Sequence, residues 1–342
     1  MKNISELRQD IVSGDWVVIA TGRGRRPDDF AKQTKPSKPT GIDTCPFEGL
    51  ADNALYVSLK NSEIHSISKK SYSLLRRDWF LQIIPNKYPA FGKGLCSVVR
   101  KNGPYFEEDG VGFHDVVVTR DHNRSIALMK TEEVAMLIRA YRDRYLQLKD
   151  SDCVEYVSIF HNHGPEAGAS IAHPHSQVVA IPVVPPTIRR SVDGSEKFYK
   201  KNKKCVHCVM VDFERKERER IVYENELFIA FAPYASRTAF EIRIFPKKHS
   251  ALFETIHNSA VKDFADALRV SLLKLYKGLG NPSYNFFIHT SPAFDSRTFD
   301  HYHWHVEIFP KTGIWAGFEL GTGIDISTVA PEKAAAFLRK IK

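Results

Sequence analysis

The run His173-Pro174-His175-Ser176-Gln177 follows a stretch of small residues, Gly164-Pro165-Glu166-Ala167-Gly168-Ala169-Ser170. On a strand, His173, His175 and Gln177 share one face, because side chains alternate. One imidazole can then hold a metal or fix geometry while its neighbour attacks an electrophile. The preceding loop carries little side-chain bulk, so its backbone N–H groups can approach an anion closely. These parts suit attack by a histidine on phosphorus. A strand with two structural histidines would show the same short run, so the weight falls on what accompanies it.

What accompanies it is an echo. The first half carries Cys45-Pro46-Phe47-Glu48, then His122, then His173 and His175. The second carries Cys205-Val206-His207-Cys208, then His249, then His301, His303 and His305. His122 precedes His173 by 51 residues; His249 precedes His301 by 52 and His303 by 54. The repeated order and interval point to duplication of one unit of roughly 150–170 residues, an ordinary domain size. We therefore place domains at 1–190 and 191–342. The polar segment 186–204, ending in Lys200-Lys201-Asn202-Lys203-Lys204, is expected to be a linker.

Between the histidines, Thr131 is expected to cap a helix with Val134, Leu137, Ile138, Tyr141, Tyr145 and Leu148 on one face. Ser259 is expected to cap another with Val261, Phe264, Leu268, Leu272 and Leu275, and Pro331 opens a short last helix. Strands are expected at Trp16–Ala20, Phe80–Ile84, Asp115–Thr119, Glu155–Phe160, Gln177–Ile181, Leu227–Ala232, Phe240–Phe245, Tyr284–His289 and His303–Phe309. Long helices among hairpin-spaced strands predict an α+β fold with antiparallel sheets and packed helices.

The chain has 342 residues, 43% of them hydrophobic, enough for a sizeable core. Its net charge of +9 suits an anionic partner, but the basic residues are scattered and no nucleic-acid-binding signature appears. No run approaches the ~20 apolar residues of a membrane span, and Met1–Glu6 lacks an apolar signal core. Five cysteines are an odd count for a disulfide framework, so we expect a cytoplasmic protein of a reducing compartment.

Cys205, Cys208, His249 and either His301 or His303 make two thiolates and two imidazoles, a closed tetrahedral zinc set of structural character. In the first half Glu48 stands where the second cysteine would be. Cys45, Glu48, His122 and His173 remain a possible site, with a harder ligand and altered metal preference; an empty or half-formed site is the alternative. His175 is the candidate nucleophile, forming a phosphoramidate and splitting one transfer into two. Gln177, Ser170 and loop N–H groups can donate to phosphoryl oxygens, and Asn162 can hydrogen-bond base, ribose or phosphate.

At these residues the chain resembles the galactose-1-phosphate uridylyltransferase family of the histidine-triad superfamily, near its nucleotide-sugar phosphorylase branch. The resemblance runs from Asp10-Ile11-Val12-Ser13-Gly14-Asp15-Trp16, Arg23 and Arg26-Pro27 through Cys45-Pro46-Phe47 and Pro85-Asn86-Lys87-Tyr88-Pro89. It continues through the 173–177 run to His303-Trp304-His305 and Gly317-Phe318-Glu319-Leu320-Gly321-Thr322-Gly323. It implies two tandem histidine-triad-like domains, a homodimer, one or two zinc ions (iron being the alternative), and a nucleotidyl-His175 intermediate. A nucleotide sugar would be the donor and a hexose 1-phosphate the acceptor; in the phosphorylase branch orthophosphate takes that place and adenine can replace uracil. By position, Asn86 and Lys87 would line the nucleotide pocket. Arg23 and Arg26 would meet phosphates, one of them across the dimer interface. Asn162, Ser170 and Gln177 would hold phosphoryl oxygens, and Glu319 would contact hexose hydroxyls. Asp325 departs from the expected amide near the sugar pocket. A zinc-stabilised nucleotide-binding module without catalysis is the reading of another class.

Overall fold

The computed structural model describes residues 5–23, 41–59, 63–64, 79–92, 94–96, 99–293 and 299–342. The hairpin β1 (Glu6–Gln9) and β2 (Trp16–Ile19) comes first, followed by β3 (Tyr56–Leu59), β4 (Glu63–Ile64) and β5 (Trp79–Pro85). A small hairpin, β6 (Arg100–Asn102) and β7 (Tyr105–Glu107), leads to β8 (Phe113–Thr119), helix α1 (Thr131–Lys149), β9 (Tyr156–His163) and β10 (His175–Ile181). Helices α2 (Pro186–Asn202) and α3 (Val206–Glu217) connect to β11 (Ile221–Glu224), β12 (Phe228–Phe231) and β13 (Ile242–Pro246). Then come α4 (Asn258–Leu279), β14 (Tyr284–His289), β15 (His305–Pro310), α5 (Gly317–Thr322), β16 (Asp325–Ser327) and α6 (Pro331–Lys340).

Eleven of these strands form one sheet, ordered β11-β12-β13-β15-β14-β9-β10-β8-β5-β3-β4. Its pairings are antiparallel, as the α+β reading expects. The order shows the duplication directly. From the central β9–β14 pair outward, each half reads the same way: a strand before a histidine pair, the strand that carries it, then the strands preceding the long helix. Helices α1 and α4 cover one face. Val134, Ile138, Tyr141 and Tyr145 of α1 join Val261, Phe264, Leu268 and Leu272 of α4 in a core shared with both halves of the sheet. Each large apolar side chain so buried contributes about 1.5–3 kcal/mol, which accounts for the apolar stripes of both helices.

The helix caps lie one residue earlier than expected in α1 and two residues earlier in α4. Lys130 is the N-cap of α1, and the Glu133 carboxylate accepts from its backbone N–H at 2.7 Å. His257 caps α4, its Nδ1 accepting from Ser259 N–H at 3.4 Å. The expected linker at 186–204 is instead helical over α2. Its apolar face is narrow, with Ile188 and Ser195 buried, so polar residues mask its period. Gly194 explains the rest: a Cβ there would lie 1.8 Å from the carbonyl oxygen of Val12. The helix thus takes the N-terminal segment against its backbone. That segment also reaches the second half through the parallel pairing of β2 with β16 and through Arg243, whose Nη1 donates to Asp10 at 2.9 Å. Against the expectation drawn from the odd cysteine count, Cys96 and Cys153 are joined as a disulfide with Cα atoms 5.5 Å apart.

Candidate active site and metal centres

Strand β10 lies between β8 and β9. Ser176 points to the helix-covered face, where its hydroxyl meets Tyr141 Oη of α1 at 2.5 Å and His161 Nδ1 at 3.0 Å. By alternation His175 and Gln177 project from the opposite face, and both are half-buried. His175 Nδ1 lies 2.8 Å from the carbonyl oxygen of His173. A carbonyl only accepts, so Nδ1 carries the proton and Nε2 keeps its lone pair. Burial pushes the His175 pKa down and the neighbouring His173 adds to this, against the opposing hydrogen bond. The ring is therefore neutral near pH 7, as a nucleophile requires. The buried Phe47 ring backs it, centroids 5.0 Å apart.

Amides gather around this strand. Asn285 of β14 donates through Nδ2 to Asn162 Oδ1 at 2.7 Å and to the carbonyl of Ala167 at 2.8 Å. With its oxygen so engaged, the Asn162 amide turns its N–H groups away from Asn285. Gln177 Oε1 lies 2.7 Å from His114 Nε2. Asn86 follows β5; its Oδ1 accepts from Tyr88 N–H at 2.9 Å, and its Nδ2 lies 3.0 Å from the same His114 nitrogen. Lys87 is exposed, its Nζ 5.5 Å from the Tyr88 ring centre, and Ser170 is exposed in the loop before His173. That loop departs from β9 at Gly164, with φ of +79°, where a Cβ would lie 2.3 Å from Ser283 Oγ; only glycine fits.

Both expected ligand sets converge. The donor atoms of Cys45, Glu48, His122 and His173 lie within 4.8 Å of one another, as do those of Cys205, Cys208, His249 and His303. A tetrahedral ion with bonds of about 2.0–2.3 Å holds its ligands roughly 3.3–3.8 Å apart. His173 Nδ1 is 3.5 Å from Cys45 Sγ and 3.4 Å from Glu48 Oε1, while Glu48 and His122 sit closer, at 2.5 Å. His173 Nε2 donates to the carbonyl of Thr119 at 2.6 Å, which leaves Nδ1 as the donor to a metal. In the second set Cys208 Sγ lies 3.2 Å from His249 Nδ1 and 3.6 Å from His303 Nδ1. The choice left open in the sequence falls on His303; His301 is not in the group. Hydrogen bonds from the Cys208 thiol, His207, His249 and His303 lower the Cys205 pKa against the effect of burial, favouring a thiolate. Both donor sets fit zinc.

The second half repeats the nucleophile's posture without its surroundings. His305 Nδ1 lies 3.1 Å from the carbonyl of His303. Glu307, in the place of Gln177, is held by Arg243 at 3.0 Å, and His305 is 2% exposed. The ion cluster closes what the first half leaves open.

Glu319 lies on α5, where its Oε2 accepts from Ala316 N–H at 3.0 Å. Arg23 closes a short turn, Thr21–Arg23, and Arg26 lies outside the described residues. Asp325, the departure from the expected amide, is buried in β16 and accepts from Arg237 Nε at 2.7 Å. Two residues at the site were not read from the sequence, His114 and Asn285. His114 sits one residue before the expected strand at 115–119. Asn285 pairs directly with Asn162 across β9–β14, which only the sheet order reveals.

The comparisons with known proteins point to one family. The profile of the galactose-1-phosphate uridyl transferase N-terminal domain matches residues 2–185, and that of a domain of unknown function matches 109–340. The ADP-glucose phosphorylase of Arabidopsis thaliana is 32% identical over 98% of this chain and 93% of its own. The galactose-1-phosphate uridylyltransferase of Thermotoga maritima is 30% identical over 98% of each. The crystal structure of the Arabidopsis ADP-glucose phosphorylase with bound ADP-glucose superposes with a TM-score of 0.80 at 31% identity, covering 99% of this chain and 100% of that one. With a histidine pair of this geometry, one of whose members belongs to a ligand set, the chain belongs to the galactose-1-phosphate uridylyltransferase family.

Proposed function

We propose that this chain is a hexose-1-phosphate nucleotidylyltransferase that exchanges UDP-glucose and galactose 1-phosphate through a nucleotidyl-His175 intermediate. The carrying observation is the fixed tautomer of His175, with Nδ1 bound to the His173 carbonyl at 2.8 Å and the lone pair therefore left on Nε2. In the first step Nε2 attacks the α-phosphorus. A P–N bond forms, the bond to the bridging oxygen breaks, and hexose 1-phosphate leaves with that oxygen. In the second step a phosphate oxygen of the acceptor attacks the same phosphorus, the P–N bond breaks, and the neutral ring returns. Amide N–H groups of Asn162 and Gln177, with Ser170 and loop N–H groups, stabilise the charge developing on the phosphoryl oxygens. Asn86 and Lys87 hold the nucleotide; Arg23 and Arg26 meet phosphates, and Glu319 meets hexose hydroxyls, with the enzyme acting as a cytoplasmic homodimer. Zinc would be held by Cys205, Cys208, His249 and His303, and by Cys45, Glu48, His122 and His173, and would supply rigidity; iron is the alternative. We divide the chain into histidine-triad-like units at 1–190 and 191–342.

The second reading is a nucleotide-sugar phosphorylase with the same first step and orthophosphate as acceptor. The similarity to an ADP-glucose phosphorylase over 98% of the chain favours keeping it. Donor labelled at the α-phosphate, as UDP-glucose or ADP-glucose, tests both. Protein-bound label that survives alkali and is lost in acid supports the covalent step, and no label with either donor supports the non-catalytic module. Release of that label by galactose 1-phosphate, glucose 1-phosphate or orthophosphate then identifies the acceptor.

A further inference from the structure

We propose that His114 is a positioning residue that decides which end of the Gln177 amide faces the reacting phosphate. The inference rests on the reading of His175 as the nucleotide carrier. It begins from a group that cannot be turned around. The backbone N–H of Ala90 donates to His114 Nδ1 at 3.1 Å, so that nitrogen carries a lone pair. The proton of the neutral ring is therefore on Nε2. At 2.7 Å from Nε2 lies the end atom of Gln177, which must accept, and so is its oxygen.

The amide nitrogen of Gln177 is then directed away from His114, with two N–H donors available on the face shared with His175. In the reverse orientation the carbonyl lone pairs of Gln177 would meet the phosphoryl oxygens and repel them. The Asn86 nitrogen, 3.0 Å from the same Nε2, is a second donor facing that proton, so in this tautomer the contact is no hydrogen bond and the 2.7 Å contact to Gln177 is the one made. The Asn86 oxygen is held by Tyr88 N–H at 2.9 Å, which orients that amide independently of His114. His114 itself is held by strand pairing, opposite Val179 of β10, and its carbonyl accepts from Asn86 N–H at 2.8 Å.

The test combines kinetics with a spectroscopic readout. Loss of one donor to a developing oxyanion costs ~10²–10³-fold, so H114F should slow single-turnover labelling of His175 by roughly 10- to 100-fold, and Q177A by at least as much. Because both act through one amide, H114F/Q177A should be no slower than Q177A. H114Q, which returns a donor at the position of Nε2, should recover most of the rate, whereas H114E, which offers only acceptors, should not. Nitrogen-15 shifts of the His114 ring should report the Nε2–H tautomer. A labelling rate in H114F equal to wild type, an additive double variant, or an Nδ1–H tautomer would each overturn the proposal. Should H114F not fold, the contrast between H114Q and H114E carries the kinetic test. Failure of wild type to label at all would remove the nucleotidyl-histidine reading, while the tautomer measurement would still judge His114.

Discussion

Asn285 Nδ2 lies 2.7 Å from Asn162 Oδ1, across the strand pair where the two halves of the sheet meet. The second half therefore reaches into the first half's site. Asn285 also donates to the Ala167 carbonyl, so it anchors the loop before His173 as well as the Asn162 amide. Replacing it with alanine leaves Asn162 free to turn and the Ala167 carbonyl without its partner. We expect Asn285→Ala to lower the nucleotidylation rate by about 10- to 100-fold, with a stability loss of about 1–3 kcal/mol from the unpaired buried groups. Single-turnover labelling and denaturant titration read the two effects separately; an unchanged rate would show that Asn162 does not need this partner.

His175→Ala removes the attacking nitrogen and little else. The ring is half-buried, and its Nδ1 bonds to a carbonyl two residues away. Both half-reactions should fall below detection, a loss of at least ~10⁴-fold for a covalent route, while the melting curve stays within a few degrees of wild type. Continued exchange between sugar nucleotide and sugar phosphate in this variant would remove His175 from the mechanism.

Much of this architecture was legible because local chemistry and global fold agree. The β10 run, the stripes of α1 and α4, and both cysteine–histidine sets follow from spacing alone. The segment 186–204 was misread because only a narrow face of α2 is apolar, and its packing depends on Gly194 meeting the backbone of Val12. His114 and Asn285 carry no motif, since their importance comes from which strands are neighbours. The choice between His301 and His303 depended on the longer connection between β14 and β15, which adds residues that the first-half interval does not contain. The Cys96–Cys153 pairing joins positions 57 residues apart and leaves no local trace.

The two metal sets should differ in strength. The second offers two thiolates, the first one thiolate and a carboxylate from Glu48, whose side chain is 32% exposed. Thiolate ligands suit zinc better than a solvent-facing carboxylate. Chelation should strip metal from the first set before the second. Cys205→Ser should lower the melting temperature more than Glu48→Ala does, and both should reduce stability more than the chemical step. Metal content by plasma spectrometry beside melting curves checks this; loss of second-site metal with an unchanged melting temperature would refute a structural role.

Asp10 joins the N-terminal segment to the second half, and its contribution should depend on pH in a defined direction. Burial raises its pKa, but the Arg243 guanidinium and the backbone N–H groups of Val12 and Ser13 outweigh burial and hold it below the ordinary value. A carboxylate with a depressed folded pKa stabilises above the unfolded value, near ~3.9, and loses that contribution as pH falls through the folded value. Asp10→Asn keeps the shape, weakens the turn contacts and leaves Arg243 to Glu241 and Glu307, at 3.2 and 3.0 Å. At pH 7 the variant should be less stable by about 1.5–3 kcal/mol, the scale of hydrogen bonds to charged groups. The difference from wild type should be constant from pH 5 to 8 and shrink as the solution is acidified below about pH 4. Denaturant midpoints measured across that range decide it. A difference that grows on acidification would mean that Asp10 is protonated in the native protein and that Arg243 is satisfied by Glu241 and Glu307 alone.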